Sequence, residues 1–383
     1  MRNVFRAIWR FLNEADIFLL VVSLTCAILG ILLIASILSN AEVNRGELYV
    51  QIGALVIGVA LFALFSYIDI DIIADKYLFL LVFSVLFIAT LFFWGVGWEE
   101  TGNRAWLRFF GVGIQPAEVV KITFIIIIAK MIASFSEQKK MNSIVSLLKI
   151  LLVFGLLFGL IVFISGDLGS AIVYAFILIA MLFIGGVKLR WFALSGAILA
   201  ALSPLLWLRF MNVRQRDRIL APFLPDALTQ ERFDEIMWQA QRSVKAISAG
   251  GFFGQGLGKG RMTQGQGIPA QHTDFIFSAV GEELGFIGCV IVLALLLIIV
   301  IRCFYIGVKS NNPLGLNVCI GVSSMLLIQT LENIGMCLGL LPVIGITLPF
   351  YSYGGSSIVT CFTAMGIVSG IKMRPKPGRF RGM

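Results

Sequence analysis

The sequence predicts an all-α polytopic membrane protein with ten transmembrane helices and a large extracellular loop between helices 7 and 8. Three observations predict this. The 383 residues are 59% hydrophobic and only 13% charged, with a mean hydropathy of +0.96. Soluble domains sit near half apolar and a quarter charged. Apolar runs of the length that crosses a bilayer as a helix recur along the chain. Lys and Arg crowd one alternating set of the segments between those runs.

In order, the runs cover residues 16–38, 48–66, 77–95, 116–134, 147–165, 168–186, 191–208, 275–301, 314–340 and 350–371. No small-residue cleavage site follows the first, so it is expected to be a retained anchor rather than a signal peptide. The whole chain, 1–383, is expected to be one membrane domain. Its two longest loops are 96–115 and 209–274. An even number of spans puts both termini on one side. Arg2, Arg6, Arg10, Lys139, Lys140, Lys188, Arg190, Arg302, Lys309 and the basic tail fall on that side, against Arg45, Arg104 and Arg108 in the short loops of the other. The positive-inside rule makes the termini cytoplasmic. The net charge of +9 is read as this asymmetry facing anionic lipid, not as a nucleic-acid footprint.

Six cysteines lie in or beside apolar runs, and no two are spaced as CxxC. They read as buried thiols packing as small apolar groups. A single histidine, His272, excludes a multi-histidine metal centre. Carboxylates on the outer face leave room for a weakly held divalent cation, magnesium or manganese. No ligand spacing defines a site for one.

The long outer loop opens basic, with Arg209, Arg214, Arg216 and Arg218. Residues 233–249 predict an amphipathic helix with Ile236, Ala240, Val244 and Ile247 on one face, stopped by Gly250-Gly251. GGFFGQGLGKGRMTQGQG follows. With no preceding strand and no GK[ST], it is not a nucleotide-binding fingerprint. A flexible lid, a backbone surface for phosphate and a plain disordered loop are all open readings.

The ninth apolar run leads into NIGMCLGLLPVIGITLPFYSYGGSS, Asn333–Ser357. Pro342, Pro349 and the polar SYGGSS close interrupt what composition alone would make a membrane helix. Broken backbone at membrane depth is tolerated where it is buried in protein or lines a polar cavity. Helix packing through small residues is the plainer alternative, but two prolines seven apart point to a site.

Asp274, in QHTDFIFSAVGEELG, stands where the outer loop enters the eighth helix. It reads either as a helix N-cap or as a general base whose partial desolvation raises its pKa toward neutrality. Glu118 and Lys121, in QPAEVVKITF, share one face of a helix opened by Pro116. Charges this close to hydrocarbon face a bundle interior or a water-filled cavity, unless they snorkel. Glu282, Glu283 and Glu332 raise the same question. Asp167, in SGDLGSA, is explained by a turn or cap. Arg104 and Trp106, in TGNRAWLRF, lie on the loop before Pro116. Trp106 suits an interfacial anchor, whereas Arg104 and Arg108 have the fork that grips an anionic head group.

Five segments, in order over nearly the whole chain, resemble the SEDS family of bacterial wall polymerases, the RodA, FtsW and SpoVE type. They are GNRAWLRFFGVGIQPAEVVK, SGDLGSA, WQAQRSVKAISAGGFFGQGLGKG, HTDFIFSAVGEELGFIG and the Asn333–Ser357 string. The resemblance implies a peptidoglycan glycosyltransferase that polymerises lipid II at the outer face of the bacterial cytoplasmic membrane. It implies work beside a class B penicillin-binding protein, a transpeptidase, on undecaprenyl-pyrophosphate-linked glycan. The family's essential outer-loop aspartate corresponds to Asp274, and its intramembrane Glu and Lys to Glu118 and Lys121. Arg104, Trp106, Arg216, Arg218, His272, Thr273, Ser352 and Tyr353 are the further substrate-binding residues it suggests. The implied reaction is attack by an acceptor GlcNAc C4 hydroxyl on C1 of the donor MurNAc, with Asp274 as base. Cations such as Lys121, Arg216 and Arg218 would offset charge on the leaving pyrophosphate.

The chain departs from the family pattern at Ala117, where Ser is usual, and at Ala105, which separates Arg104 from Trp106. Ile268-Pro269-Ala270 replaces a frequent Leu-Pro-Glu, and Trp238 a usual Tyr. None of these touches Asp274, Glu118 or Lys121. Asn333-Ile334-Gly335-Met336 and the short termini resemble the elongation, RodA branch; PFYSYGGSS also suits division and sporulation. A lipid II flippase and a non-catalytic scaffold for the transpeptidase are the alternatives from other classes.

Overall fold

A helix closes its backbone hydrogen bonds within itself, which is what lets an apolar run cross lipid. The computed structural model describes residues 13–39, 46–97, 103–109, 112–211, 213–265 and 267–374. Within them the ten expected runs form helices. These are α1 (Ile17–Ile37), α2 (Gly46–Tyr67), α3 (Tyr77–Trp94), α4 (Pro116–Glu137), α5 (Ile144–Ser165), α6 (Leu168–Ile184) and α7 (Leu189–Arg209), then α8 (Gln230–Gly250) in the long loop, then α9 (Ile276–Lys309), α10 (Pro313–Cys337) and α11 (Gly355–Met373). Excluding α8, nine are long and apolar enough to span a membrane. The tenth, α6, has 17 residues, about 26 Å of helix. Arg2, Arg6, Arg10, Arg45, Lys376, Arg379 and Arg381 lie outside the described residues.

α10 and α11 are the most buried spans and form the centre. α11 lies along α2, and α10 is packed by α9, α6 and α4. Close contact comes from missing side chains: a Cβ on Gly366 would stand 2.6 Å from the Phe62 carbonyl oxygen. This is the small-residue packing that holds helices together in lipid. α7 is different, since none of Leu189–Leu205 is buried.

The all-α expectation misses one small sheet. Leu107–Phe109 (β1) pairs antiparallel with Val112–Ile114 (β2), with Leu107 opposite Ile114. The two-residue period of a strand buries Leu107 and leaves Arg108 exposed.

α8 begins three residues before the expected start, and its buried face is rotated. Met237, Ala240, Ser243, Ala246 and Gly250 are buried, whereas Val244 is exposed. Of the expected stripe Ala240 is buried and Ile236 and Ile247 are half-buried against the core, so the face is shifted rather than replaced, and close approach sets the shift. A Cβ on Gly250 would fall 1.9 Å from the Gly281 carbonyl oxygen of α9, and Ser243 Oγ donates to the Cys337 carbonyl at 2.7 Å.

The glycine-rich stretch after α8 is docked on α9. The amides of Gln255 and Gly256 donate to the carbonyls of Glu282 and Glu283 at 2.9 and 3.0 Å. α9 kinks at Gly285, whose φ of 68° only glycine adopts without strain. The freed amide of Phe286 donates to the Gly251 carbonyl at 3.0 Å. The buried Glu282 carboxylate accepts from the Met262 and Thr263 amides at 2.8 Å each. Glu283, also buried, accepts from Ser36 Oγ at 2.7 Å and Gln264 Nε2 at 3.1 Å. Two carboxylates therefore clamp this stretch to α9 and α1. Glu332 is buried too, with Oε2 lacking a partner among the described residues. Five cysteines are buried and Cys289 half-buried, all as free thiols.

Between α10 and α11, residues 338–354 are not helical. The expected spans 314–340 and 350–371 thus become 313–337 and 355–373, and the proline-broken stretch between them is free to line a cavity.

Candidate active site

A cavity of 890 Å³ opens among the start of α4, the start of α6, the loop before α9 and the broken stretch after α10. Residues 343–347 form part of its wall, as the interrupted sequence predicts.

Asp274 borders this cavity, two residues before α9. The N-cap position of α9 is Phe275, which makes no side-chain capping bond. Among the described residues, no backbone amide donates to the Asp274 carboxylate. Its main chain is pinned instead: the amide donates to the Ala270 carbonyl at 3.0 Å, and its own carbonyl accepts from Asn333 Nδ2 at 2.7 Å. The same Nδ2 donates to the Ile346 carbonyl at 2.7 Å. Asn333 thereby ties the loop bearing Asp274 to the cavity wall. Gly345, at φ 71°, lets that wall come close; a Cβ there would stand 3.3 Å from Asp274 Oδ2. Although the side chain keeps part of its surface open to the cavity, protein surrounds it. Burial raises its pKa from 3.8 to about 6, the nearby negative charge of Asp167 adds to the rise, and a hydrogen bond from Thr273 opposes it.

Glu118 and Lys121 also border the cavity, one turn apart on α4. Lys121 Nζ lies 2.5 Å from Glu118 Oε1, and Lys121 is 1% exposed. The pair faces the bundle interior and does not snorkel. Trp106, Arg218, His272, Thr273 and Tyr353 line the same cavity. His272 Nε2 is 3.3 Å from Glu47 Oε2, and burial lowers the His272 pKa despite that carboxylate, so the ring is neutral near pH 7. The Tyr353 amide donates to the His272 carbonyl at 2.8 Å, joining α11's approach to the Asp274 loop.

Three expected residues are not among those lining the cavity. Arg104 is exposed and its amide donates to the Ser165 carbonyl; Arg108, in β1, lines the cavity instead. Arg216 donates through Nε and Nη2 to the Met211 carbonyl and through Nη2 to that of Leu208, bracing its own loop. Ser352 Oγ accepts from the Leu348 amide at 2.8 Å inside a turn.

The structure adds residues the sequence reading leaves out. Asp167 does cap α6, accepting from the Ser170 amide at 2.9 Å, yet Oδ2 also accepts from Gln115 Nε2 at 2.7 Å on the cavity wall. Gln329, on α10, borders the cavity with its buried Oε1 unpartnered among the described residues. A side-chain amide one helical turn before Asn333 in an apolar run is the signal that marks it. Among the described residues no three His, Cys, Asp or Glu side chains converge as metal ligands.

The FtsW/RodA/SpoVE family model, described as a cell cycle protein, matches residues 16–376. A "Probable peptidoglycan glycosyltransferase FtsW" of Bacillus subtilis is 35% identical over 332 residues, covering 84% of this chain and 80% of the relative. Stage V sporulation protein E of the same organism is 30% identical over 367 residues, covering 93% and 96%. One chain of a solved peptidoglycan synthase complex, described as coordinating polymerization and crosslinking, superposes with a TM-score of 0.79 at 27% identity, covering 94% of this chain and 97% of that one. The crystal structure of the Thermus thermophilus rod shape determining protein RodA shares the fold, with a TM-score of 0.68 at 24% identity over 94% and 96% of the two chains.

Proposed function

Since the chain belongs to the FtsW/RodA/SpoVE family and is a peptidoglycan glycosyltransferase of the multi-pass membrane type, we propose that Asp274 is the base with which it polymerises lipid II. The observation that carries this is the state of Asp274. It borders the large cavity, its carboxylate is not spent on the helix start, and its pKa is raised to about 6. A base poised near the working pH is both deprotonated and able to take a proton.

In the reaction, the C4 hydroxyl of an acceptor GlcNAc attacks C1 of a donor MurNAc. Its proton passes to Asp274 as the new glycosidic bond forms. The bond from C1 to the pyrophosphate oxygen breaks, and undecaprenyl pyrophosphate leaves with that electron pair. Arg108 and Arg218 bring positive charge to the cavity where a pyrophosphate would sit. Lys121 is already paired with Glu118, so its role is to hold that carboxylate in place.

Asp274 would face outward, with both termini cytoplasmic. The Lys and Arg of the described inner segments support this orientation: Lys139, Lys140, Lys188, Arg190, Arg302, Lys309 and Lys372. A class B penicillin-binding protein is the partner proposed, supported by the similarity to a synthase complex that couples polymerization to crosslinking.

We assign the chain to elongation on the resemblance of Asn333-Ile334-Gly335-Met336 to the RodA branch. Division is the second reading, favoured by sequence relatives named FtsW. Depletion in the native bacterium separates them: rounded cells for elongation, filaments for division.

The decisive test is lipid II polymerisation by purified protein with its transpeptidase, wild type against Asp274→Asn. Glycan strands from wild type and none from the folded variant are expected. Equal polymer from both would remove Asp274 as the base.

A further inference from the structure

We propose that a basic pocket at the end of the bundle opposite the candidate active site binds the phosphate of an anionic membrane phospholipid. α9 begins two residues after Asp274 and ends at Lys309. Beyond its kink it runs from Phe286 to Lys309, roughly 36 Å of helix, so its two ends lie at opposite membrane faces. At the far end a cavity of 360 Å³ is lined by Arg302, Tyr305, Ile306, Lys309, Ser310, Ile371 and Lys372. That lining holds three cations and no carboxylate.

Two of the three cations share one buried carboxylate. Asp16, fully buried behind the pocket, accepts on Oδ2 from Arg302 Nη2 at 2.7 Å and Nε at 3.0 Å, with Lys372 Nζ at 3.2 Å. The remaining Asp16 oxygen caps α1 through the Leu19 amide at 2.9 Å. One carboxylate charge thus faces two cations. The third, Lys309, sits 4.5 Å over the Tyr305 ring, and the Arg302 guanidinium lies 5.5 Å from the same ring. Convergent positive charge held by an aromatic ring suits a multiply liganded oxyanion.

Location selects the ligand. The pocket lies where α9 and α11 both end, at head-group depth, and basic pockets between helices there hold anionic lipid heads. Tyr305 is the amphipathic residue expected at that interface. Ile301, Phe304 and Val308 on the same helix are exposed and offer an apolar track for acyl chains. A free phosphate would meet the same cations without using that track.

The test uses the full-length protein in mild detergent, offered phosphatidylglycerol, phosphatidylcholine or inorganic phosphate, with retained ligand read by native mass spectrometry. Preferential retention of phosphatidylglycerol is expected. The variant Lys309→Gln/Lys372→Gln, which leaves Arg302 and Asp16 in place, should weaken it by about fivefold for each lysine, while Lys309→Arg should retain it. Unchanged melting of the double variant in phosphatidylcholine would show that the loss is not unfolding. Equal retention of the two lipids, or no loss in the double variant, overturns the proposal. Displacement of phosphatidylglycerol by millimolar inorganic phosphate would reassign the pocket to a soluble anion and overturn the lipid as its source.

Discussion

Asn333 Nδ2 donates to the main-chain carbonyl of Asp274 at 2.7 Å, across 59 residues of sequence. The same amide group donates to the Ile346 carbonyl, also at 2.7 Å. One buried side chain on α10 thus sets both the loop that carries the proposed base and the wall that faces it. The oxygen that accepts is main chain, so Asn333 positions the carboxylate without touching it.

Asn333→Leu should therefore lower kcat far more than it raises KM. A displacement near 1 Å at a reacting group costs about a hundredfold, and two abandoned carbonyls cost about 1–3 kcal/mol each in stability. Steady-state polymerisation assays with melting curves check both effects. A raised KM with unchanged kcat would contradict a positioning role.

The pH profile should report Asp274. Its pKa is raised, so the base form is lost as pH falls through about 6. The initial rate is expected to drop tenfold per pH unit below that point and to level off above it. Asp167→Asn removes a negative charge that helps raise the pKa while keeping a capping oxygen for α6. The acid limb should move to lower pH in that variant. An unmoved limb would exclude Asp167 as a contributor.

The same shift has a stability sign. A carboxyl whose folded pKa lies above its unfolded value stabilises the fold at low pH, and this is lost as pH rises from about 4 through about 6. Asp274→Asn never ionises. It should melt higher than wild type at pH 7, with the gap closing toward pH 4, even as it loses polymerisation. Such a trade is expected where a charged group is held for chemistry.

The Glu118–Lys121 pair separates structure from function by a cycle. Lys121→Met leaves a buried carboxylate unpaired and should cost about 3–5 kcal/mol. Glu118→Gln/Lys121→Met should recover most of that, because neither charge remains. If the pair serves the reaction, polymerisation stays lost in the stable double variant. Recovered activity there would make the pair purely structural.

Ser36 and Glu283 clamp the loop after α8. Ser36→Ala removes a donor to a buried carboxylate, a loss of about 1.5–3 kcal/mol. Limited trypsin digestion should then cut sooner at the exposed Lys259 and Arg261. Unchanged cutting would show that the stretch is held without the Ser36 hydroxyl.

By itself the sequence determined the membrane class and the apolar runs that become helices, and it singled out the residues proposed here for the chemistry. Lipid forces each span to satisfy its own backbone, so spans are written as continuous apolar runs. A carboxylate or broken backbone inside such a run stands out because it is costly there. Glu118, Lys121 and the stretch after Asn333 were legible for that reason; Asp274, just outside the eighth run, was legible from its place at the loop–helix junction and from the family motif. Only the tertiary structure decided what depends on contacts between distant segments. The buried face of α8 is set by how closely Gly250 approaches α9, which hydropathy does not encode. Arg216 and Ser352 were spent on nearby backbone, while Arg108, Gln115, Asp167 and Gln329 came to the cavity. The link from Asn333 to Asp274 exists only once α10 lies beside the loop before α9. A side chain's type fixes what bonds it can make; the fold alone brings the partner within 3 Å.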